Sequence, residues 1–196
     1  MNGNKPKLII GLGNPGAQYT GTRHNLGFMM LDAVAEKYGA AWHNKPKFKA
    51  LLAEITIDGH QAILAKPTTF YNLSGEAAAA IMRFYKLEPA DVLVIHDELD
   101  LPFGVVRTRL GGSDAGNNGI KSLIQHLGPN FTRARIGIAD EHRGLDPVDF
   151  VLGKFHTSPE LLKKLTASIV DVTALFASAP HAFQASTIQI GEEKST

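Results

Sequence analysis

The stretch from Leu8 to Gly27, LIIGLGNPGAQYTGTRHNLG, constrains the fold of this chain more than any other. It begins with a short apolar run, Leu8 to Ile10, which is the pattern of a buried strand. A loop rich in glycine and polar residues follows, and a helical pattern begins only at Phe28. A strand that ends in a polar loop before a helix predicts an α/β arrangement, in which the loop is a place for chemistry.

Part of this stretch, GLGNPG, matches the G-x-G-x-x-G spacing of dinucleotide-binding proteins. In that motif a helix starts within the glycines and directs its first amides at a pyrophosphate. Here Pro15 removes an amide, the helical pattern starts later, and the nearest acidic residue, Asp32, lies inside the helix. The context therefore argues against a nicotinamide or flavin site. We expect instead a turn that leaves Asn14 and His24 facing one pocket.

Strand and helix patterns alternate along the rest of the chain. Asp58-Gly59 predicts a hairpin turn between two strands, so we expect a mixed sheet in an α/β fold. The strand at 105–110 alternates as an exposed or edge strand does. The predicted strands are 8–10, 50–57, 61–65, 92–96, 105–110 and 133–138. The predicted helices are 28–38, 76–85 with Asn72 or Ser74 near its N-cap, 120–127, and a long helix with a capping box at Thr157 and Glu160.

Composition narrows the class of protein. With 196 residues and 44% hydrophobic residues, we expect a single domain spanning 1–196, with frayed tails at 1–6 and 189–196. Cysteine is absent and no apolar run is long enough to span a bilayer, which indicates a cytoplasmic protein without a membrane segment. The formal net charge is only +1, so any binding of nucleic acid must come from a local basic patch.

Polar loops follow the ends of four predicted strands, at 11–25, 68–75, 96–104 and 111–119. Ligands of open α/β sheets gather at the carboxyl ends of strands. The loops present His24, Asp97, Asn14, Asn72, Asn118 and Tyr19. A histidine beside a carboxylate predicts a general base, and asparagine amides suit the carbonyls and amides of a peptide. The alternative is that the histidine and aspartate are unrelated and the asparagines are helix caps.

Two rival sites carry weaker patterns. Ser113 in GGSDAG lies near a G-x-S-x-G nucleophile elbow, but Ala115 stands where the second glycine belongs. The run HDELD offers His96, Asp97, Glu98 and Asp100 as metal ligands. Adjacent residues of a strand point to opposite faces, however, and no H-E-x-x-H pattern accompanies the run, which favours a structural role for part of it.

Several basic residues form a third candidate feature. Arg107 and Arg109 share one side of the strand VVRTRL, which favours a patch that binds phosphates. A merely solvated face is an equally good interpretation of these residues. The full candidate set is Arg107, Arg109, Lys121, Arg133 and Arg135.

Taken together, the motifs resemble one family. They are GLGNPGAQYTGTRHNLG, KPTTFYNLSG, HDELDLPFG, GGSDAGNNGIKSLIQHLG and RARIGI followed by FVLGKF. Their order and spread, from about Leu8 through the final helix, are similar to those of bacterial peptidyl-tRNA hydrolase. The resemblance implies a three-layer α/β/α sandwich around a mixed, mostly parallel twisted sheet of the phosphorylase/hydrolase-like kind. It also implies hydrolysis of the ester between a peptide and tRNA released from stalled or aborted translation, which recycles the tRNA.

The resemblance also assigns roles to individual residues. It implies His24 as the base that activates water, Asp97 as the carboxylate that orients it, and Asn14 as the residue that distinguishes N-blocked substrates. Further matches that contact the peptide and the 3′ CCA end are Tyr19, Phe70, Asn72 and Asn118. Arg109 and Arg135 fall where the family places basic residues toward tRNA phosphates, including those of the acceptor stem. The family pattern implies a monomer with no metal and no other cofactor.

Two positions depart from the family's pattern. Asn117 stands where histidine is common, which puts any auxiliary proton role of that position in doubt. Tyr71 stands where methionine is frequent, which stiffens one wall of the pocket and adds a hydroxyl. The change at Asn117 therefore leaves an alternative function, a catalytically impaired tRNA-binding module of the same fold. A third hypothesis, a dinucleotide-dependent oxidoreductase, rests on the GLGNPG spacing alone.

Overall fold

Strand β1 (Lys7–Gly11) lies inside an eight-stranded sheet in the computed structural model, which describes residues 5–140 and 146–190. The other strands are β2 (His43–Lys45), β3 (Ala50–Ile57), β4 (His60–Pro67), β5 (Val92–Pro102), β6 (Val105–Leu110), β7 (Thr132–Ala139) and β8 (Thr187–Gln189). They are ordered β2-β3-β4-β1-β5-β7-β6-β8. The central strands β4, β1, β5 and β7 are parallel, whereas β3 and β6 run against their neighbours. The predicted mixed sheet is confirmed.

Helices cover both faces of the sheet. They are α1 (Leu26–Lys37), α2 (Ser74–Tyr85), α3 (Asn118–Leu127), α4 (Pro147–Leu152) and α5 (Pro159–Ser178). One buried cluster joins α1 and α5 to one face of the sheet, and a second joins α2 and α3 to the other. Odd-numbered residues of β5, such as Leu93, belong to the first cluster, and even-numbered ones, such as Val94, to the second. The fold is therefore a three-layer α/β/α sandwich, as expected.

The glycines of the opening stretch serve close packing of β1 against α1. A Cβ atom at Gly27 would lie 2.4 Å from the backbone nitrogen of Leu12, and one at Gly11 would lie 2.4 Å from the carbonyl oxygen of Gly27. Only glycine allows this approach. Since α1 begins at Leu26, well after Gly16, the last glycine of GLGNPG, the expected absence of a helix start within the G-x-G-x-x-G spacing is confirmed.

The Asp58-Gly59 hairpin is also confirmed. The φ angles of Asp58 and Gly59 are 49° and 81°, and positive values at both central residues are characteristic of a type I′ turn. The turn joins β3 to β4 in antiparallel register, with Ile57 opposite His60. Aspartate and glycine tolerate these angles better than other residues, which is why this dipeptide identified the turn.

Several elements differ from the sequence-based expectation. Strand β5 continues through Pro102 against β7, so residues 97–102 belong to a strand and not to the polar loop that was predicted. β6 is not an edge strand, because β8 pairs with Val105–Arg107, and β8 itself lies in a segment without a clear pattern. The short elements β2 and α4 were not predicted either. Short elements bury too few residues to produce a readable period.

Two helix caps also differ from prediction. Ser158 is the N-cap of α5, and its Oγ accepts a hydrogen bond from the Leu161 nitrogen at 3.2 Å, so the predicted capping box at Thr157 and Glu160 is wrong. Pro159 occupies the first helical position and thereby sets the cap one residue later than predicted. Helix α2 begins directly after Leu73 without a side-chain cap, so neither Asn72 nor Ser74 caps it.

The predicted frayed tails are only partly covered by the described residues. Most of the predicted tails, residues 1–4 and 191–196, lies outside the described residues. At the carboxyl end, Gln189 belongs to β8 and Ile190 is buried, which differs from the expectation of a frayed tail at those two positions. Among the described residues, no helix combines the length and the apolar character that crossing a bilayer requires.

Candidate active site

A cleft of about 620 Å³ opens at the carboxyl edge of the parallel strands β1, β4 and β5. Its lining draws on all four segments that the sequence identified as polar loops. The lining residues from those segments are Asn14, Tyr19, His24, Phe70, Tyr71, Asn72, Asp97, Glu98, Leu99, Asp100, Ala115, Gly116, Asn117 and Asn118. Residues from all four segments therefore meet in one cleft.

One of these segments reaches the cleft by an unexpected route. Because β6 is antiparallel to β7, Leu110 at its end pairs with Thr132 at the start of β7. The segment 111–119 therefore begins at the opposite edge of the sheet. Only its last part, from Ala115 onward, lines the cleft and leads into the N-terminus of α3.

His24 and Asp97 form a hydrogen-bonded pair in this cleft. His24 lies in a 3₁₀ turn, Arg23–Asn25, that leads directly into α1, and Asp97 lies on β5. The distance from His24 Nδ1 to Asp97 Oδ2 is 2.9 Å. Asp97 is 3% exposed, whereas the His24 side chain is 19% exposed. The pair thus has a buried carboxylate and an imidazole that reaches the solvent side.

The charge of Asp97 fixes the orientation of the histidine. Burial alone would raise the pKa of Asp97, but His24 and the Tyr71 hydroxyl interact with its carboxylate and hold the pKa below the ordinary value. An ionised carboxylate can only accept hydrogen bonds, so His24 donates through Nδ1. In the neutral imidazole the lone pair is then on Nε2, which is the arrangement of a general base.

Asn14 is held by its neighbours on both sides. Its backbone nitrogen donates to Asn25 Oδ1 at 2.8 Å, and its carbonyl oxygen accepts from Asn25 Nδ2 at 2.9 Å. Its side-chain oxygen accepts from the Tyr71 backbone nitrogen at 2.8 Å. Since Oδ1 is used in this way, the side-chain nitrogen is the group that Asn14 can offer to a ligand in the cleft.

The other predicted contact residues also line the cleft. Tyr19 is half-buried, Asn72 and Asn118 are exposed, and Phe70 is 54% exposed, which is high for a large apolar side chain. Asn118 is the first residue of α3, whose N-cap is Asn117. The alternative interpretation of these asparagines as helix caps is wrong for Asn14, Asn72 and Asn118. The residue that does cap α3, Asn117, was not among them.

Tyr71 and α4 contribute more to the cleft than the sequence indicated. The Tyr71 ring stacks on His24 with a centroid distance of 3.5 Å, and its hydroxyl is 2.7 Å from Asp97 Oδ1. Helix α4 supplies an apolar wall through Pro147, Val148, Val151 and Leu152. The substitution at Tyr71 was visible in the sequence, but its contact with Asp97 depends on distant segments. No helix was predicted at α4, although its second half belongs to the FVLGKF motif.

The predicted basic patch forms on β6 and β7. Cross-strand neighbours are Arg107 with Arg135 and Arg109 with Arg133, so the four guanidinium groups share one face of the sheet. Burial first, and then the charges of Arg109 and Arg135, lower the pKa of Arg133 to about 10. Arg107 and Arg109 are exposed. This set of four residues is called the arginine face below.

The arginine face is connected to the cleft through Glu98. Arg135 Nε donates to Glu98 Oε2 at 2.8 Å, and Glu98 lines the cleft. Arg133 donates to the carbonyl oxygens of Gly112 and Ser113 and so fastens the segment before α3. Among the residues that the structure describes, Arg109 and Arg135 do not line the cleft themselves.

The rival sites find little support. Ser113 is exposed before α3 and does not belong to the described lining of the cleft. Within residues 5–140 and 146–190, no three His, Cys, Asp or Glu side chains are grouped so as to bind a metal ion. His96 donates through Nδ1 to the Asp97 carbonyl at 2.7 Å, and burial lowers its pKa, which favours a neutral structural residue.

Comparisons with known proteins agree with the geometry. The family model described as peptidyl-tRNA hydrolase matches residues 8–195. A peptidyl-tRNA hydrolase of Gloeobacter violaceus is 49% identical over 162 residues, which cover 82% of this chain and 81% of that protein. The crystal structure of peptidyl-tRNA hydrolase from Acinetobacter baumannii is similar with a TM-score of 0.74 and 38% identity, covering 87% of this chain and 86% of that one.

A more distant structure is similar in fold alone. Purine nucleoside phosphorylase from Toxoplasma gondii has a TM-score of 0.51 with 9% identity, covering 91% of this chain and 93% of that one. Such a low identity carries no information about activity. The likeness agrees with the expectation of a phosphorylase/hydrolase-like fold.

Proposed function

Because the chain belongs to the peptidyl-tRNA hydrolase family, we propose that it hydrolyses the ester between peptide and tRNA with His24 as general base. The substrate is peptidyl-tRNA released from stalled or aborted translation, and the reaction recycles the tRNA. The observation that carries the assignment of the base is the 2.9 Å hydrogen bond from His24 Nδ1 to the buried carboxylate of Asp97.

The chemistry follows from this pair. Asp97 accepts a hydrogen bond from Nδ1–H of His24, which leaves the lone pair on Nε2. His24 Nε2 then takes a proton from water as the water oxygen attacks the ester carbonyl carbon. The tetrahedral intermediate carries negative charge on the former carbonyl oxygen. Its collapse breaks the bond to the ribose oxygen, which receives the proton from His24 and leaves as tRNA. Asp97 stabilises the imidazolium between these two steps.

Neutral amides are proposed to hold the peptide. The side-chain nitrogen of Asn14 is the donor left after its other polar groups are paired, and it suits the carbonyl of an N-blocked substrate. Asn72 and Asn118 offer donors and acceptors without charge, so they hold peptide groups with little regard to sequence. Tyr19 and Phe70 supply flat surfaces on which the bases of the 3′ CCA end stack.

The tRNA body is proposed to contact the arginine face. Arg109 is exposed there, and Arg135 joins this face to the cleft through Glu98. Guanidinium groups bind phosphates through charge and paired hydrogen bonds. The acceptor stem would then lie along β6 and β7 while its 3′ end enters the cleft.

We also propose that the chain acts as a monomeric single domain in the cytoplasm, without a metal or another cofactor. The two buried clusters share one sheet, which supports a single folding unit. General-base catalysis by His24 supplies the nucleophile from water, and an ester has a fair leaving group, so the proposed steps are complete with side chains alone.

The test is hydrolysis of N-acetyl-aminoacyl-tRNA in the presence of a chelator. The wild-type protein is expected to release the N-acetyl amino acid, and His24→Ala is expected to be slower by about a hundredfold or more. His43→Ala, at an exposed histidine of β2, is the matched control and should retain the wild-type rate. Wild-type turnover by His24→Ala would refute the assignment of the base.

The tRNA-binding module without catalysis is not favoured. That alternative was motivated by Asn117, yet Asn117 caps α3 and the His24–Asp97 pair is intact beside it. Salt-sensitive tRNA binding without hydrolysis at any pH would restore the alternative in the same assay.

A further inference from the structure

Tyr71 connects the His24–Asp97 pair to the N-terminus of α3. The side chain is buried, and its ring lies nearly parallel to the His24 ring, with an interplanar angle of 13°. Its backbone is fixed by the hydrogen bond from the Tyr71 nitrogen to Asn14 Oδ1. A Cβ atom at Gly119 would lie 2.4 Å from the Tyr71 ring, so the ring is also held from the side of α3. The ring therefore has little freedom to move.

The hydrogen bonds of the Tyr71 hydroxyl run from Asn117 through Tyr71 to Asp97, each group donating to the next. Asn117 Oδ1 accepts from the Ile120 nitrogen at 3.0 Å as the N-cap of α3, which turns its Nδ2 toward the Tyr71 oxygen, also at 3.0 Å. That oxygen accepts from Asn117, so its proton points to Asp97 Oδ1 at 2.7 Å. Burial first, and then the charge of Asp97, raise the pKa of Tyr71 well above the ordinary value, so the hydroxyl stays a donor.

Both oxygens of Asp97 are therefore bound by donors. Oδ1 accepts from Tyr71 and Oδ2 accepts from His24. With both oxygens engaged, the carboxylate cannot rotate without losing a hydrogen bond to a charged group, which is a strong interaction in a buried site. A fixed carboxylate keeps the proton on His24 Nδ1 and leaves Nε2 for water.

We infer that Tyr71 is a positioning residue for the His24–Asp97 pair and that Asn117 sets the direction of its hydroxyl. This inference rests on the proposed role of His24. Tyr71 and Asn117 are the two positions that depart from the family's pattern, and the inference explains them together. The Tyr71 hydroxyl and the Asn117 side-chain amide are joined by a hydrogen bond. The inference also explains how a non-titrating residue at position 117 is compatible with catalysis.

The first test is Tyr71→Phe, measured as the single-turnover rate of N-acetyl-aminoacyl-tRNA hydrolysis across pH. The variant keeps the stacked ring and removes only the hydroxyl. We expect the plateau rate to fall by about tenfold with KM unchanged. Without the Tyr71 donor, Asp97 attracts the His24 proton more strongly, so the midpoint of the acid limb should move to higher pH.

The pH shift separates positioning from a merely structural role. A structural loss lowers the folded fraction or the rate without moving the midpoint. The other titratable groups near the pair, His96 and Glu98, are the same in both proteins, so they do not account for a shift. Tyr85→Phe, at a half-buried tyrosine of α2 away from the cleft, is the matched control and should leave the profile unchanged.

The second test is Asn117→Ser. Serine retains a side-chain N-cap for α3 but is too short to reach the Tyr71 hydroxyl. We expect a smaller rate loss with the same direction of pH shift, and no added effect in the double variant with Tyr71→Phe. Additive effects would overturn the role of Asn117, and a folded Tyr71→Phe with the wild-type profile would overturn the role of Tyr71. The role of His24 as base is tested separately, by the loss of activity in His24→Ala. A failure of the inference about Tyr71 or Asn117 is therefore distinguishable from a failure of the proposed base.

Discussion

At the scale of single residues, Asp97 determines most of the chemistry that the cleft can perform. It is almost fully buried, yet its pKa lies below the ordinary value, because donors from His24 and Tyr71 outweigh the effect of burial. Its ionised form is thus favoured by the fold itself. The same contacts that orient His24 therefore also contribute to the stability of the protein.

This contribution has a defined dependence on pH. A carboxyl group whose pKa is lowered on folding stabilises the protein above its ordinary pKa, and the effect is lost as the pH falls through the lower value of the folded state. The free energy of unfolding of Asp97→Asn should therefore differ most from that of the wild type near neutral pH. The difference should narrow below about pH 3.8, the ordinary value for this group. Urea unfolding of both proteins across this range measures it, and a difference independent of pH would contradict the prediction.

At the scale of elements, the turn that carries His24 is held from two sides. Gly11 and Gly27 bring β1 and α1 into direct backbone contact, which fixes the helix end of the turn. Arg23 fixes the other side, since its backbone nitrogen donates to the Gly153 carbonyl at 3.0 Å and its guanidinium stacks on Phe150 at 4.2 Å. The position of His24 thus depends on α4 as well as on β1 and α1.

Gly27→Ala tests the contact between β1 and α1. The added methyl group would lie 2.4 Å from the Leu12 nitrogen and 2.5 Å from the Ile95 carbonyl oxygen, and both are backbone atoms that cannot turn away. We expect a loss of about 1–3 kcal/mol in the free energy of unfolding and a lower turnover in the folded fraction. Chemical denaturation and the hydrolysis assay measure the two effects. Wild-type stability would show that the close approach is not required.

At the scale of the whole molecule, the cleft and the arginine face lie next to each other on different strands of one sheet, joined by the Arg135–Glu98 pair. The cleft lies at the carboxyl edge of β1, β4 and β5, and the arginine face lies on β6 and β7. A net charge of only +1 is compatible with this arrangement, because the positive charge is concentrated where β6 and β7 pair. Binding of a large anion therefore depends on local and not on overall charge.

The sequence allowed much of this arrangement to be predicted, and the failures have physical reasons. Continuous apolar runs and the Asp58-Gly59 turn identified the central sheet, because strands buried on both faces show an uninterrupted apolar pattern. The strand β8 and the helix α4 are too short to show a period, so the apolar wall at Val148 was missed. The contact of Tyr71 with Asp97 joins residues 26 positions apart, and no local pattern records such a contact.

The proposed tRNA surface makes a prediction about salt. Arg109→Ala and Arg135→Ala should raise KM for N-acetyl-aminoacyl-tRNA with little change in kcat, because they remove phosphate contacts and not reacting groups. Each should also reduce the salt dependence of tRNA affinity by about one unit of slope per lost contact. Lys163→Ala, at an exposed position of α5 on the other side of the sheet, is the control. If Lys163→Ala changed KM and the salt dependence as much as the two arginine variants do, the arginine face would not be the tRNA-binding surface.

The measurement that most directly tests His24 as the base is the pH dependence of single-turnover hydrolysis of N-acetyl-aminoacyl-tRNA by the wild type and His24→Ala. For the wild type, the rate should rise with pH through the loss of one proton and then reach a plateau, because only the neutral imidazole can accept a proton from water. For His24→Ala, this limb should be absent and the remaining rate should be low at every pH. A wild-type profile without the limb, or the same limb in His24→Ala, would contradict the proposed mechanism.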